Sequence, residues 1–324
     1  MPSEFDIIRQ YFSLKENRTD VILGIGDDAA ILDISKHQQQ QLVQSADTLI
    51  SGVHFPEETS AKDIAYKSLA VNLSDMAAMG ADPAWFTLAI TLPDDNEEWL
   101  KAFSESLAEI AEKYNVQLIG GDTTQGTLLS LSITITGFVP VNKALTRNNA
   151  LPGDNIYVSG TLGDAALALA AWRKECLLTD GHSDYLYQRL YRPTPQVELG
   201  RLLRDYANSC IDISDGLLAD LGHITESSGV GAKIIFENIP LSEYFNFNLT
   251  DNALKIPLVL AGGDDYELCF TIPKNKQEKF NQLIKEKNLS VSCIGEIESE
   301  LGVRCSLNNE DIEIKEIGYN HFEN

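Results

Sequence analysis

The feature that most constrains this sequence is the repeated placement of aspartates beside glycine, or at the ends of β-rich runs, within otherwise apolar segments. Six short segments carry them, namely GIGDDAA, SADTL, NLSDMAAMGA, GGDTT, IDISDG and GGDDYEL. An ionised carboxylate in apolar surroundings is costly unless it is paired or binds a metal ion. Few Lys or Arg residues lie near these segments. The pattern therefore predicts a fold in which several elements, each ending in a carboxylate, converge on divalent cations.

The available ligand types narrow the choice of metal and of chemistry. The five cysteines are scattered without a CxxC pair, which indicates reduced thiols in a reducing compartment rather than a disulfide framework or zinc site. Ligands that are all oxygens favour Mg²⁺, and Mg²⁺ in turn suggests phosphate chemistry. Because GxxxxGK[ST] and the HRD and DFG motifs are absent, a Walker-type or protein-kinase site is excluded. Metal-assisted phosphoryl transfer and phosphate hydrolysis both fit.

Each candidate carboxylate also has a purely structural interpretation. On a helix, Ser68, Asn72 and Asp75 share one face. Asp75 then either faces a polar site or is a buried carboxylate satisfied by Lys67 or a backbone amide. The pairs Asp47-Thr48 and Asp122-Thr123 could be Asx turns, and Asp27-Asp28 a tight turn.

The IDISDG segment offers a similar choice. A helix beginning near Asp215 favours anions at its N-terminus, yet Ser214 or Asp215 could simply cap that helix. Asp212 precedes the cap and is harder to explain in this way. The turn from Gly160 to Gly163 resembles a phosphate-binding nest only weakly, and a plain strand-to-helix turn is favoured there.

The chain of 324 residues is long enough for two domains. The turn-forming stretch at Leu151–Asp154 predicts a boundary near residue 148, giving domains 1–148 and 149–324. The first half predicts strands at WFTLAITL and LSLSITITGF, and helices over 62–79 and 100–114. The second half predicts strands at NIYVSG, CIDIS, AKIIFE and YELCFTI, and helices at DAALALAAWRKE, from about Gly216, and over 277–287. The fold class is therefore α+β or α/β in two domains.

Composition excludes some partners. With 25 Lys and Arg against 48 Asp and Glu, the formal net charge is −23. Such a surface repels nucleic acids and anionic membranes, so neither is an expected partner. The start of the chain lacks the features of a secretory signal and no apolar run is long enough to cross a bilayer, so a cytoplasmic location is expected.

The motifs taken together resemble one family. These motifs are GIGDDAA, SADTL, GVHF, AVNLSDMAAMGADP, LIGGDTT, IDISDGL, GGDDYEL and GYNHF. In their order and spacing over nearly the whole chain, they resemble the motifs of the thiamine-monophosphate kinases. Single motifs indicate only the wider superfamily of aminoimidazole-ribonucleotide-synthetase-like ATP-binding enzymes. The resemblance implies a two-domain PurM-like fold with an N-terminal mixed-sheet domain that pairs in a homodimer, and a C-terminal α+β domain. It also implies ATP-dependent conversion of thiamine monophosphate to thiamine diphosphate with several Mg²⁺ ions.

The resemblance assigns roles residue by residue. Metal ligands would be Asp28, Ser45, Ala46, Asp47, Asp75, Asp122, Asp212 and Asp215. Nucleotide contacts would be Gly121, Asp122, Arg147 and Ser214, and contacts to the thiamine end would be His54, Asp264 and Tyr319. Ala46 replaces a residue that is often Thr or Ser, so its contact would be through the carbonyl. Asp264 stands where some relatives have the longer Glu.

Some of these residues have alternatives. Arg147 follows a strand and could be a solvated loop residue, but positive charge is scarce and a phosphate site needs it. Tyr114, at the end of its helix just before LIGGD, could stack on adenine or pack in the core. His54 precedes Phe55-Pro56 and is by sequence alone more often structural.

Three other functions remain open at this point. One is the same superfamily chemistry with another acceptor, such as selenide or a formyl-amide. Cys176 is the first cysteine, which argues against selenide. The second is a non-catalytic acidic dimer stabilised by metal, and the third is a metal-dependent phosphatase.

Overall fold

The structure is a computed structural model that describes residues 4–15, 17–179, 181–312 and 318. Its compact units divide the chain between Asn142 and Lys143, with Ala77–Gly80 grouped with the second unit. Each unit contains both helices and strands, as the sequence predicts. The domain boundary at residue 148 stays a prediction.

The first unit is built on a four-stranded sheet. Its helices are α1 (Glu4–Ile7, continued by a π-helical turn over Ile8–Phe12), α2 (Ala61–Ala78) and α3 (Glu97–Tyr114). Its strands are β1 (Val21–Leu23), β2 (Ile31–Leu32), β3 (Gln40–Ile50), β4 (Asp82–Leu92), β5 (Gln117–Gln125) and β6 (Ser130–Pro140). The sheet order is β3-β6-β4-β5, with β4 and β5 parallel and the other pairs antiparallel. β1 and β2 form a separate antiparallel pair.

The second unit has a seven-stranded sheet of order β13-β12-β9-β11-β7-β10-β8. Its strands are β7 (Asn155–Ser159), β8 (Ser209–Asp212), β9 (Gly231–Ile235), β10 (Leu268–Ile272), β11 (Val291–Glu298), β12 (Gly302–Leu307) and β13 (Glu310–Asp311). Its helices are α4 (Asp164–Trp172), α5 (Ser183–Tyr191), α6 (Val197–Leu203), α7 (Leu217–Ser228), α8 (Glu243–Asn248), α9 (Asn252–Leu260) and α10 (Lys274–Lys287). Among the described strands of this sheet, only β9 and β12 pair in parallel.

Local sequence explains the helix bounds. α3 starts where the Asn96 side chain accepts a hydrogen bond from the Trp99 N–H, and it ends at Asn115 in the left-handed conformation. Its buried face carries the residues that predicted an amphipathic helix, Leu100, Phe103, Leu107 and Ile110. The helix predicted over DAALALAAWRKE stops earlier, at Trp172, because Lys174 has a φ of 63° that a helix cannot continue through.

In the described part of the chain, no helix combines the length and apolar character needed to cross a membrane.

Candidate functional site

The first group of candidate residues joins β3 to α2. The Ser45 hydroxyl donates a hydrogen bond to Asp75 Oδ2. Because side chains alternate along a strand, Asp47 lies on the same face of β3 as Ser45. Asp47 and Asp75 are both half-buried. The structure therefore brings Ser45, Asp47 and Asp75 to one polar patch between a strand and a helix.

Two of the predicted positions need correction. Asp47 and Asp122 lie inside β3 and β5 and do not end those strands. The β3–β6 ladder continues beyond Asp47, with Thr48 opposite Ser132 and Ile50 opposite Ser130. The Asx-turn interpretation of both Asp-Thr pairs is therefore wrong, because their backbone belongs to continuous strand ladders.

Asp122 lies far from Asp47 within one copy of the chain. Strand register aligns Asp47 with Ile133, Leu88 and Gly121 across the sheet, so the residue after Gly121 belongs to the opposite face. Ile133 and Leu88 are buried, whereas Asp122 is exposed. β3 and β5 are also the two edges of the sheet, three strand spacings or about 14 Å apart. One copy therefore does not place Asp122 beside Asp47.

The solvent-exposed face of this sheet, called the open face below, carries small polar side chains. Thr48 and Ser132 share a hydrogen bond of 2.7 Å between their hydroxyls, and Thr91 and Thr124 share one of 3.1 Å. Ala46 is exposed in the same ladder, one residue before Asp47 on the edge strand. Asp28 is exposed in the turn after β1, where its N–H donates to Asp27 Oδ1 at 2.8 Å.

Gly121 is required by the close approach of two strands. A Cβ built on Gly121 would lie 1.8 Å from the Leu88 carbonyl oxygen on β4. Its φ of +155° is also unfavourable for a residue with a side chain. The neighbouring Gly120 has no such restriction, since the nearest atom to its Cβ is Thr87 Cγ2 at 4.0 Å. Gly121 thus fixes the strand that carries Asp122.

His54 is held by the backbone that follows β3. Its Nδ1 accepts a hydrogen bond from the Ile50 N–H at 3.0 Å. A neutral His54 ring therefore carries its proton on Nε2, which can donate to a ligand. The Lys67 ammonium contacts the His54 carbonyl at 3.4 Å. These contacts give the loop histidine a defined orientation.

Tyr114 ends α3 in a partly buried position. The Lys113 ammonium lies 5.1 Å from the centre of its ring. Burial, together with the nearby Tyr66, raises the pKa of the Tyr114 phenol. Tyr66 belongs to α2, so Tyr114 lies close to the neighbouring helix.

In the second unit, two loops form one backbone assembly. β8 ends at Asp212, the loop after it contains Ser214 and Asp215, and the loop before β10 contains Asp264. Three backbone hydrogen bonds join the two loops. The Ile213 N–H donates to the Glu267 carbonyl at 2.7 Å, and the Tyr266 N–H donates to the Ile213 carbonyl at 2.8 Å. The Asp264 N–H donates to the Ser214 carbonyl at 2.9 Å. The structure therefore brings together candidate residues that are about fifty positions apart in the sequence.

Unusual backbone conformations accompany this assembly. Asp264 and Tyr266 have φ values of 69° and 51°, in the left-handed region. Non-glycine residues in this region are uncommon and concentrate at functional sites. A Cβ on Gly263 would lie 2.4 Å from the Ser214 carbonyl oxygen, so only glycine permits the close approach of the two loops.

A residue missed by the sequence reasoning, Asp220, supports the first of these loops. Its Oδ2 accepts hydrogen bonds from the N–H groups of Ser214, Asp215 and Gly216, at 3.0, 3.1 and 3.1 Å. Burial, with the charges of Asp212 and Asp215, raises the pKa of the Asp220 carboxyl to about 8. The N–H groups that precede α7, considered above as an anion site, thus already donate to a carboxyl oxygen of the chain itself.

A buried charged network lies behind the Asp264 loop. Glu267 accepts hydrogen bonds from Arg189 Nη2 at 2.8 Å, Gln196 Nε2 at 2.9 Å and Ser159 Oγ at 2.5 Å. Asp265 accepts the Gly163 N–H, and burial raises the pKa of its carboxyl well above the usual range. The turn at Gly160–Gly163 is therefore a strand-to-helix turn, and its last N–H group, that of Gly163, donates to the Asp265 carboxyl group.

Arg147 is not brought to the loop assembly. Arg147 is exposed, and its carbonyl accepts a hydrogen bond from Ser228 Oγ at 3.1 Å. Ser228 is the last residue of α7, whereas Ser214 precedes the first, and a helix of 12 residues is about 18 Å long. Tyr319 lies outside the described residues.

The donor atoms fit magnesium rather than a softer metal. They are carboxylate, hydroxyl and carbonyl oxygens, which Mg²⁺ prefers. Among the described residues of either unit, no three Asp, Glu, His or Cys side chains are grouped closely enough to hold an ion by themselves. In proteins, Mg²⁺ is often bound through one or two carboxylates, with water and phosphate oxygens completing its coordination shell.

Comparisons with known proteins identify the family. Residues 26–139 match the model of the AIR synthase related protein N-terminal domain, and residues 152–307 match that of the C-terminal domain. Thiamine-monophosphate kinase of Escherichia coli K12 is 46% identical over 323 residues, which cover 98% of each chain. This chain belongs to the thiamine-monophosphate kinase family.

Solved structures agree with the family assignment. The crystal structure of thiamine-monophosphate kinase from Stenotrophomonas maltophilia K279a is 46% identical, with a TM-score of 0.84, and covers 91% of this chain and 93% of its own. AaThiL complexed with AMPPCP and TMP is 30% identical, with a TM-score of 0.77, over 98% and 96% of the two chains. The two-domain α+β fold expected of a thiamine-monophosphate kinase is thereby confirmed.

Proposed function

We propose that the chain transfers the terminal phosphoryl group of ATP to thiamine monophosphate, giving ADP and thiamine diphosphate. The observation that carries this proposal is the 46% identity to a thiamine-monophosphate kinase over 98% of both chains. A solved structure of a relative is a complex with compounds abbreviated AMPPCP and TMP, which we take to be an ATP analogue and thiamine monophosphate. In this reaction one P–O bond to ADP breaks and one P–O bond to the acceptor phosphate forms.

The acceptor needs no strong base. A phosphate monoester has a second pKa near ~6, so its attacking oxygen is largely ionised at neutral pH. The chief obstacle is repulsion between two polyanions, and a site that aligns them in line and offsets their charge lowers the barrier. We propose direct in-line transfer without a phosphorylated enzyme and without a general base.

Several Mg²⁺ ions are proposed as cofactors, and they would supply positive charge beside both phosphates. The residues that would hold them are Asp28, Ser45, the Ala46 carbonyl, Asp47, Asp75, Asp122, Asp212 and Asp215. The polar patch of Ser45, Asp47 and Asp75 supports this role in the first unit. In the second unit, burial and the nearby charges of Asp212 and Asp215 raise the pKa of the Asp220 carboxyl, and such crowding of acidic groups favours a cation.

The remaining assignments concern the two substrates. The residues proposed to contact the nucleotide are Ser214, Gly121, Asp122, Arg147 and Tyr114, and Arg147 would stabilise negative charge. The residues proposed to contact the thiamine end are His54, Asp264 and Tyr319. The fixed orientation of the His54 ring and the fixed backbone of Asp264 support their roles. The 18 Å helix between Ser214 and Ser228 means that Arg147 would have to reach a different part of the nucleotide from Ser214.

We propose that the active unit is a homodimer. Asp47 and Asp122 lie on opposite edges and opposite faces of one sheet, so a shared metal site needs Asp122 from a second copy. The open sheet face of Ser and Thr side chains offers a surface on which such a copy could pack. In a twofold dimer each copy would complete the other's site.

The function is tested by incubating the purified protein with ATP, Mg²⁺ and thiamine monophosphate, and separating the products by chromatography. We expect ADP and thiamine diphosphate in equal amounts, neither of them after chelation of Mg²⁺, and no labelled protein from γ-labelled ATP. Thiamine in place of thiamine monophosphate serves as the acceptor control. Release of inorganic phosphate in the absence of acceptor would indicate a phosphatase, and the absence of thiamine diphosphate would refute the proposal.

A further inference from the structure

The loop at Asp212–Gly216 is held by a side chain outside the resemblance-based assignments. The Ser214, Asp215 and Gly216 N–H groups all donate to the same oxygen atom, Oδ2 of Asp220. Three consecutive amides can share one acceptor only if the backbone curves around it. Asp220 is only 3% exposed, so water does not readily replace this acceptor.

The other side of the loop is held by the Asp264 loop. The carbonyls of Ile213 and Ser214 accept hydrogen bonds from Tyr266 and Asp264. The N–H groups thus bind Asp220 while the carbonyls bind the neighbouring loop. Both the N–H groups and the carbonyls of this short segment therefore have partners within the chain.

Glycine makes this arrangement possible at the start of α7. Gly216 has a φ of +122°, and a Cβ there would lie 2.8 Å from the carbonyl carbon and oxygen of Ala261. The Asp220 N–H in turn donates to the Gly216 carbonyl at 3.0 Å and closes the first helical turn. Asp220 is therefore fixed relative to the loop by its own backbone as well as by its carboxylate.

We infer that Asp220 is a positioning residue whose carboxyl group orients Ser214 and Asp215 for cation and nucleotide binding. The inference rests on the proposed function for the identity of the ligands. It also implies that a nucleotide phosphate at this loop contacts the Ser214 hydroxyl rather than the loop amides. Replacing a buried group that holds metal ligands in place commonly lowers metal affinity or activity by roughly ten- to a hundredfold.

The test compares Asp220→Ala and Asp220→Asn with Leu221→Ala in the full-length protein. Leu221 is the next residue and is fully buried, and its side chain has no acceptor atom for the loop amides, so its truncation controls for general destabilisation of α7. Mn²⁺ binding is measured by electron paramagnetic resonance in the presence of a non-hydrolysable ATP analogue. The Mg²⁺ concentration for half-maximal thiamine diphosphate formation is measured in parallel.

We expect Asp220→Ala to weaken Mn²⁺ binding and to raise the Mg²⁺ requirement by about tenfold or more. Asp220→Asn keeps one acceptor oxygen for all three amides and should remain within about twofold of the wild type, even if Asp220→Ala does not fold. Leu221→Ala should lower the melting temperature without changing Mn²⁺ affinity.

Two results would overturn the inference. One is Asp220→Ala with wild-type Mn²⁺ affinity, and the other is Asp220→Asn with a tenfold loss, which would make Asp220 a ligand rather than a support. Wild-type protein that binds Mn²⁺ but makes no thiamine diphosphate would refute the proposed function and leave this inference intact.

Discussion

Replacing Asp47 by Asn is expected to lower kcat by at least about a hundredfold while the protein remains folded. The substitution keeps the size of the side chain but removes the negative charge that would hold a cation beside the reacting phosphates. Asp122→Asn should have a similar effect for the same reason. Turnover is measured as thiamine diphosphate formed at saturating ATP, thiamine monophosphate and Mg²⁺.

A matched control is Asp94→Asn, in the exposed loop before α3, where the Asp94 carboxylate accepts the Asn96 N–H at 3.1 Å. An amide oxygen can accept that bond equally well, so activity should be unchanged. All three variants should melt within about 3 °C of the wild type. Near-normal turnover by both Asp47→Asn and Asp122→Asn would contradict their assignment.

The same two variants test the dimer. If Asp122 of one copy completes the site that contains Asp47 of the other, a mixed dimer has one doubly altered site and one intact site. Co-expression in equal amounts should then restore about a quarter of wild-type activity from two inactive variants, since half of the dimers are mixed. If both residues served the site of their own copy, every site would remain defective and no activity would return.

Gly121→Ala is expected to have the second large effect, on stability as well as on activity. The added methyl group would overlap the Leu88 carbonyl oxygen at 1.8 Å, so β5 would have to move away from β4 and lose ladder hydrogen bonds. A cost of roughly 2–3 kcal/mol is typical of such overpacking and corresponds to a melting temperature about 5–10 °C lower. Turnover should fall with it, because Asp122 follows directly in the displaced strand.

The neighbouring Gly120→Ala provides the control, since it makes the same chemical change where the nearest atom is 4.0 Å away. Its melting temperature should stay close to that of the wild type or rise slightly, because alanine restricts the unfolded chain. Equal melting temperatures for the two variants would show that the close approach at Gly121 does not constrain the strand.

Much of the fold could be predicted because its signals are local. The three- and four-residue spacing of Leu100, Phe103, Leu107 and Ile110 depends only on helix geometry, and α3 has that buried face. The stretch before Gly80 likewise predicted α2 to within a residue at each end. The same holds for β4 and β6, whose β-branched and aromatic runs are typical of strands.

The arrangement of the candidate site could be predicted only in part. Repeated aspartates in apolar segments correctly indicated that Asp75 meets another polar element, but its partner Ser45 comes from a strand 30 residues away. Asp47 and Asp122 were expected at strand ends that converge. Strand order is set by long-range pairing, and it places these residues on opposite edges of the sheet.

Asp220 shows a different limit. In the sequence it is one polar residue within an otherwise apolar first helical turn, LLADL, which is also the pattern of an ordinary amphipathic helix. Its role depends on the left-handed turn at Gly216, which directs three amides to one oxygen. The glycine in ISDGL is the only local signal, and it marks a turn without indicating what the turn surrounds.

The central claim is that the scattered aspartates bind divalent cations between two phosphate groups. The most direct measurement is anomalous diffraction at the manganese edge from crystals grown with Mn²⁺, a non-hydrolysable ATP analogue and thiamine monophosphate. We predict anomalous peaks in contact with Asp47, Asp75 and Asp212, with phosphate oxygens completing the coordination, and Asp122 contributed by a second copy. Peaks elsewhere, with these aspartates facing water and binding no ion, would contradict the account.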